Sequence, residues 1–441
     1  MLSRLLAGRP AVFPGEPAER KTMTSDVHGK FRLLAGLFLA SALVWGCSDD
    51  GGPAAGRDAG TPATDARAVG ADTRVSLDTS DPQDGWGGDL GEGGEDADPL
   101  GAPDGGDAGG GVDAAEFWTI AVLPDTQSSY YYPPSFFDAQ TRWIAENRES
   151  EGIAFVLHEG DIVDTPGSTD QWTAARASMG FLDGKVPYVL AVGNHDLGST
   201  TFPGSKKIDP RSTLVNQYFS FDDFSRASTF GGAFESGHLE NAYYLLPGGG
   251  RTWVVIALEF SPRPEVIAWA DQVLTAQARL PAILLTHAYL YSDGQRYDHV
   301  GRVCVFTGPT CTILDPTRSD TQCWNPTCYL DDGSDGEMLW NSLVKLHSNV
   351  LFVFSGHVAN PAPFDAARLS STRPDGTVCH QLMADFQADG ATGGDGYLRL
   401  LRIWRDGRVQ VRTFSPYVDP ALAFWTEDRN QFDLRIQIPG G

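Results

Sequence analysis

Five short stretches of this chain gather side chains able to hold metals and move protons. They are Asp125-Thr126-Gln127, Gly160-Asp161-Ile162-Val163-Asp164, Gly193-Asn194-His195-Asp196, His287 at the end of AILLTH, and Gly356-His357. Carboxylate and amide oxygens with imidazole nitrogens are ligands for divalent first-row cations, and two such ions close together can act on one anionic substrate. A ligand two residues on, as from Asp125 to Gln127, returns to the same side of an extended chain. The glycines let the backbone turn sharply with no side chain in the way of an ion. Each stretch also has a plain reading, since Gly, Asn and Asp favour turns and a His ending an apolar strand is commonly packed core. Gly-Asn-His-Asp, directly after the apolar run PYVLAV, is the most specific of the five. All five in one chain, each at a strand end, outweigh the turn reading.

Strands must position these residues. From Phe117 onward, short apolar runs alternate with helical patterns. Strands are expected at 118–124, 153–158, 187–192, 252–260, 282–287 and 350–356. Helices are expected in PSFFDAQTRWIAENRE, TDQWTAARASMGFL, PEVIAWADQVLTAQA and GEMLWNSLVKLH. In the second of these, Trp172, Ala175, Met179 and Leu182 share a face. Such alternation means βαβ units with strands buried on both faces, and every polar cluster lies just beyond a strand, where open α/β sheets bind ligands. GYLRLLRIW and RVQVRTF flank Asp406-Gly407, a hairpin signal that closes the domain with an antiparallel element.

The order D-x-[H/Q], G-D-x-x-D, G-N-H-[D/E], H, G-H resembles the calcineurin-like metallophosphoesterase superfamily over essentially all of residues 117 to 417. VLPDTQ, VLHEGDIVD, VGNHD, LLTHAYL, SGHV, HQLMADFQ and GYLRLL resemble a bacterial subgroup that opens with DTQ. The resemblance implies an α/β protein, a four-layer α/β/β/α sandwich of two mixed sheets flanked by helices. It also implies a centre of two divalent or trivalent ions (Fe, Mn or Zn) at the sheet edges. Carried over by motif, Asp125 and Gln127 serve the first metal, Asp161 bridges both, and Asn194, His287 and His357 hold the second. The implied reaction is hydrolysis of a phosphoric ester by a bridging hydroxide, with His195 as general acid and Asp164 orienting it. Asp196 reads as a cap.

One position departs from the pattern. The superfamily commonly ends in G-H-x-H, and the second His is here Ala359. With Gln127 where a His often stands, the first site is one ligand poorer, and His158 or Asn360 are the candidates to complete it. His158, three residues before Asp161, is expected on the opposite side of its strand, as a supporting or core residue. A non-catalytic surface or binding protein on a degenerate scaffold is the competing reading. A hydrolase of some non-phosphate bond is another, because fold does not fix function. SSYYY, from Ser128 to Tyr132, offers an aromatic wall or ordinary loop packing, and Arg263 offers a phosphate contact or a helix-start charge. His380 and Gln387 belong to the subgroup pattern, and their chemistry assigns them no role.

The 441 residues carry a net charge of −24, which excludes nucleic acid as the expected partner, since a binder needs a basic surface. Much of the charge is local: residues 48–116 hold 17 acidic and 3 basic side chains. That segment has almost no large apolar residues, so it is expected to be a disordered tether. Before it, Lys30 and Arg32 precede LLAGLFLASALVW, an apolar run of 13 residues, where roughly 20 are needed to cross a bilayer. This matches a secretory signal, and Val44-Trp45-Gly46-Cys47 resembles a bacterial lipobox, with Met23 a second candidate start. The expected organisation is a signal over 1–47, a tether over 48–116 and a single catalytic domain over 117–441. The protein is then a monomeric cell-envelope lipoprotein, lipidated at Cys47 and acting on a small-molecule or polymer phosphoester. Cys304, Cys311, Cys323 and Cys328 fall within 25 residues and are expected to form two disulfides rather than a zinc knuckle. Cys379 is left as a buried thiol. The Cys-rich piece, about 295–335, is expected as a surface insertion.

Overall fold

The computed structural model describes residues 117–198, 208, 211–299, 304–307, 310–313 and 324–439, except 134, 361, 364, 391–392 and 421–422. The expectations for 1–47 and 48–116 lie outside the described residues.

The chain opens with β1 (Phe117–Leu123), α1 (Phe136–Asn147), β2 (Ile153–His158), α2 (Thr169–Met179) and β3 (Tyr188–Leu190). Both helices start on a serine. The Ser135 hydroxyl accepts the N–H of Asp138, and that of Ser168 accepts the N–H of Gln171, satisfying donors a helix start would leave orphaned. Two short helices, α3 (Val215–Tyr218) and α4 (Phe221–Ser225), lead to β4 (Phe230–Ala233), β5 (Ala242–Gly248) and β6 (Arg251–Leu258). Next come α5 (Pro264–Ala276), β7 (Ala282–Thr286), the hairpin of β8 (Cys304–Thr307) and β9 (Thr310–Ile313), α6 (Gly336–Ser342) and β10 (Val350–Ser355). The chain ends with β11 (Ala366–Thr372), β12 (Val378–Ala384), β13 (Leu398–Trp404), β14 (Arg408–Phe414), β15 (Phe424–Trp425) and β16 (Phe432–Arg435).

Two seven-stranded sheets result. In the first the order is β15-β14-β13-β1-β2-β3, with β16 also on β14; in the second it is β11-β12-β10-β7-β6-β5-β4. Strands β1, β2 and β3 run parallel while β13 is antiparallel to β1. In the second sheet β6, β7, β10 and β12 are parallel neighbours, with antiparallel β5 and β11 outside them. Both sheets are mixed, as expected.

Alternation along each strand builds the layers. Ile120, Val122, Phe155 and Leu157 of the first sheet pack with Val255, Ile283, Leu285, Phe352 and Phe354 of the second in one core. The next residues along, such as Ala121, Leu123, Val156, Val254, Ile256 and Leu284, face the helices with Phe137, Ile144, Trp172, Val266 and Leu339. Strands buried on both faces must be apolar throughout. The result is the four-layer α/β/β/α sandwich.

Some elements differ from expectation. Strand β3 is three residues long because the chain leaves the sheet early to form the loop carrying Asn194 and His195. Helix α6 stops at Ser342, and a single 3-10 turn, Val344–Leu346, replaces its last turn. Strands β4, β5, β11 and β12 carry no clean period. In β4 the Gly-Gly pair reads as a turn, yet the glycines are there because a Cβ at Gly231 would overlap the Tyr243 ring. Gly407, with φ +81°, makes the β13–β14 hairpin as expected.

The pairing expected among Cys304, Cys311, Cys323 and Cys328 lies largely outside the described residues, and Cys328 is disulfide-bonded. Cys379 is a free, buried thiol, pushed up to about 12 by burial. Near the Cys-rich piece, Tyr297, Asn325, Tyr329 and Leu330 are buried, so these flanks are core rather than surface. No helix among the described residues is long and apolar enough to cross a membrane.

Candidate metal centre

Each expected ligand leaves the carboxyl end of a parallel strand. Asp125 follows β1, Asp161 follows β2, Asn194 follows β3, His287 directly follows β7, and His357 follows β10. The structure brings them together. Asp161, His287 and His357 offer ligand atoms that all lie within 4.8 Å of one another.

Hydrogen bonds fix which atoms are left for an ion. His287 Nδ1 is 2.8 Å from the carbonyl oxygen of Glu159, so it must be the protonated, donating nitrogen. That leaves Nε2, 3.2 Å from Asn194 Oδ1 and 3.2 Å from Asp161 Oδ2. His357 Nε2 likewise donates to the carbonyl oxygen of Trp324 at 2.7 Å. Its Nδ1 is buried and has no hydrogen-bond partner among the described residues. Two imidazole lone pairs, an amide oxygen and a carboxylate oxygen thus share one buried place. Converging acceptors repel each other unless a cation sits among them. These four residues fit the second metal.

Asp125 Oδ1 lies 4.0 Å from His287 Nδ1. Both oxygens of Asp125 accept the backbone N–H of His357, at 3.1 and 3.4 Å. Gln127 does not follow an extended chain as expected but opens a 3-10 helix, Gln127–Tyr131. Its Oε1 is nevertheless buried without a partner among the described residues, while its Nε2 donates to Gln387 Oε1 at 2.6 Å.

The charges around this centre ask for cations. Burial raises Asp125 well above the usual carboxylate range, and the charges of Asp385, Asp161 and Glu159 add to that. Burial likewise raises Glu159 well above its ordinary value, although Arg399 opposes it. Burial brings Asp385 to about 6 and Asp196 to about 7. Asp161 is the exception: burial would raise it, but the His287 and His195 charges hold it below its ordinary value. Burial would lower His287, yet Asp161 raises it, and burial takes His357 down to about 3. So many desolvated carboxylates persist only with positive charge beside them.

The local backbone is built for this crowding. Asp161 (φ +47°) and His357 (φ +79°) adopt the left-handed conformation that side chains seldom take, a strain that collects at functional sites. A Cβ at Gly160 would stand 2.7 Å from His287 Nδ1. At Gly193 it would overlap the Asp161 carboxylate, and at Gly356 that of Asp125.

His195 sits at the rim. Its backbone N–H donates to Asp161 Oδ1 at 2.8 Å, and its Nδ1 lies 2.9 Å from the Asp164 carbonyl oxygen and 3.4 Å from Asp164 Oδ1. Burial would lower its pKa, but Asp161 and Asp164 raise it to about 9. Asp164 itself is held below its ordinary value, foremost by its bond to His195. Asp196 accepts the N–H groups of Val163 and Gly193, at 3.0 and 2.8 Å, and so ties the two ligand loops together as the expected cap.

Several weaker expectations are settled by contacts. His158 uses both nitrogens locally, on the Thr126 hydroxyl at 3.0 Å and the Gly160 N–H at 3.2 Å, and burial takes it down to about 3. It supports the loops and is not a ligand. Asn360 bonds through Nδ2 to Ser292. Arg263, just before α5, pairs with Glu259 at 2.9 Å. Tyr130, Tyr131 and Tyr132 are exposed, and Tyr131 donates to Asp164 Oδ2 at 2.7 Å. His380 bonds to Ser370 and Arg435, away from the centre. Two features escape sequence reasoning. Gln387, from the loop after β12, reaches Gln127 and Asp125. Phe260, Tyr297, Trp324 and Tyr329 ring His357 at 5.3 to 6.0 Å.

Residues 119–361 match the family described as calcineurin-like phosphoesterase. YvnB of Bacillus subtilis (strain 168), itself described as uncharacterized, is 31% identical over 335 residues, which is 74% of this chain and 22% of YvnB. The chain therefore spans about a fifth of that relative's length. The purple acid phosphatase PPD1 of yellow lupin (Lupinus luteus) seeds has a TM-score of 0.42 at 16% identity, over 73% of this chain and 54% of the phosphatase. A 5'-nucleotidase precursor from Thermus thermophilus gives 0.34 at 14% identity, over 73% of this chain and 54% of its own. Neither likeness, at such scores, argues for an activity.

Proposed function

The chain belongs to the calcineurin-like phosphoesterase family, and we propose that it hydrolyses a phosphoric ester at two metal ions, with His195 protonating the leaving group. The convergence of His287 Nε2, Asn194 Oδ1 and Asp161 Oδ2, with the orphaned His357 Nδ1 beside them, carries this reading. These four residues would hold one ion, and Asp125, Gln127 and Asp161 the other. Bound ions would neutralise the ester oxygens and activate the attacking water. The protein's own share is to keep the ligand oxygens dry and in place, and to hold a proton on His195. Asp164, bonded to Nδ1, would orient the ring, and its carboxylate would stabilise the imidazolium that gives its proton to the departing alkoxide.

Metal analysis of the purified protein, with turnover of nitrophenyl phosphate mono- and diesters, tests this. Two equivalents of iron, manganese or zinc with turnover support it. Metal-free, inert protein would refute it in favour of a binding role for the scaffold.

We also propose that Cys47 is lipidated and that residues 48–116 tether the domain outside the cytoplasm, resting on the apolar run before Cys47 and the composition after it. Palmitate labelling of the expressed precursor, lost in Cys47→Ala, checks this.

A further inference from the structure

We propose that Gln387 is a ligand of the first metal, supplied by the loop after β12 in place of the imidazole missing at Ala359, and that it makes this an all-oxygen site for a hard divalent cation. The inference rests on the metal-centre reading above and deepens it.

Placement carries the argument. The Gln387 side-chain amide bridges the two residues expected at the first metal, with Oε1 2.6 Å from Gln127 Nε2 and Nε2 3.5 Å from Asp125 Oδ2. Gln127 Oε1, in the same cluster, is buried and has no hydrogen-bond partner among the described residues. An unpaired buried amide oxygen costs free energy unless something positive meets it. Gln387 Oε1 accepts one hydrogen bond, from Gln127, and an amide oxygen keeps a second lone pair that can meet an ion.

Gln387 is also held in place. Its backbone N–H and its Nε2 both bond to Asp385, at 3.1 and 2.9 Å. The Asp385 N–H in turn bonds to the Asp365 carbonyl oxygen at 2.9 Å. A side chain fixed at two points loses little freedom on meeting an ion. Of the other candidates, both His158 nitrogens are occupied, Asn360 bonds through Nδ2 to Ser292, and residue 359 is an alanine.

The chemistry of the two sites then differs. Asp125, Gln127, Asp161 and Gln387 give the first site only oxygens, whereas His287 and His357 give the second two imidazoles. Carboxylate and amide oxygens suit Mg2+ and Mn2+, and imidazole suits Zn2+ and its neighbours. Mn2+ should fill both sites, and Zn2+ should fill the second far more tightly than the first.

The test counts bound metal, with activity set aside. Chelator-stripped wild type, Gln387→Ala, Gln387→Glu and His357→Ala are titrated calorimetrically with Mn2+ and with Zn2+, and circular dichroism confirms folding. The expected result is two Mn2+ in wild type and one in Gln387→Ala, or a first site weakened by about tenfold or more. In Gln387→Glu, where a carboxylate oxygen replaces the amide oxygen, two are expected again. His357→Ala should lose the other equivalent, the one Zn2+ binds tightly. Two undiminished equivalents in Gln387→Ala would overturn the proposal. So would loss in Gln387→Glu as well as Gln387→Ala, because Gln387 would then serve Asp125 and Asp385 as a donor only. One equivalent in wild type would remove this first site while leaving a metal centre. No metal in wild type would instead overturn the function proposed above.

Discussion

His195 Nδ1 lies 2.9 Å from the carbonyl oxygen of Asp164 and 3.4 Å from its carboxylate, so one residue grips the ring at two points. The grip fixes the orientation of the ring. A general acid matters most when the leaving group is a poor one. His195→Ala should therefore fold, keep its metal and lose roughly 10²- to 10⁴-fold in kcat on an alkyl ester, with a much smaller loss on a nitrophenyl ester. Equal losses on the two substrates would remove His195 from the acid role.

The same carboxylate has a second partner. Tyr131 donates to Asp164 Oδ2 at 2.7 Å and accepts from Gln171 Nε2 at 2.9 Å. Because Tyr131 is 52% exposed, water competes for this bond, and its net worth is about 1 kcal/mol. Tyr131→Phe should cost up to about tenfold in kcat on the alkyl ester and leave KM and metal content unchanged. A change in KM alone would place the tyrosine against substrate instead.

Asp161 links His287 to the loop that carries His195. It lies 3.2 Å from His287 Nε2 through one oxygen and accepts the His195 N–H through the other. Asp161→Asn keeps the shape and removes the charge, so metal content should fall below one equivalent with the fold intact. Two retained equivalents would contradict the bridging role.

The ligands on parallel strands are legible in sequence for a physical reason. A strand buried on both faces is an unbroken apolar run, and a polar cluster at its end stands out. Asp125, Asp161, Asn194, His287 and His357 all have this form. Gln387 does not. Its strand, β12, carries His380 and Gln381 in the middle of the run, so no strand is expected and Gln387, though part of the subgroup pattern, is given no role. The wall around His357 is hidden differently, since Trp324 and Tyr329 border a Cys-rich stretch whose composition reads as surface. β3 shows the opposite error. Ala191 and Val192 are fully apolar and buried, yet they already belong to the ligand loop.

Acid should weaken the fold through His380. Its side chain is buried, with Nδ1 accepting from the Ser370 hydroxyl and Nε2 donating to the Arg435 carbonyl. Burial lowers its pKa despite the opposing bond to Arg435. The folded state thus binds this proton less readily than the unfolded chain, whose histidines titrate near about 6.5. Stability from the neutral ring is full above that pH and is lost as pH falls toward the folded value, with a slope of at most about 1.4 kcal/mol per pH unit. Urea midpoints measured from pH 8 to pH 5 should fall more steeply for wild type than for His380→Gln. Parallel profiles would rule out His380 as a contributor.

Gly193 tests whether the ligand loops must touch. Its N–H donates to Asp196 at 2.8 Å, which also holds Val163 beside Asp161. A Cβ at this position would overlap both the carboxylate and the backbone nitrogen of Asp161. The carboxylate could swing aside but the backbone nitrogen cannot, so Gly193→Ala must push apart the loops that carry Asp161 and Asn194. The change adds no charge and removes no ligand. Displacing a ligand by even an ångström nonetheless empties a site that depends on four converging atoms. Metal affinity should fall by about tenfold or more, with the helical circular dichroism signal preserved. Adding excess metal should restore part of the lost thermal stability, since binding to the folded state alone stabilises it. Wild-type metal affinity in Gly193→Ala would show that these loops stand further apart than their close contact implies.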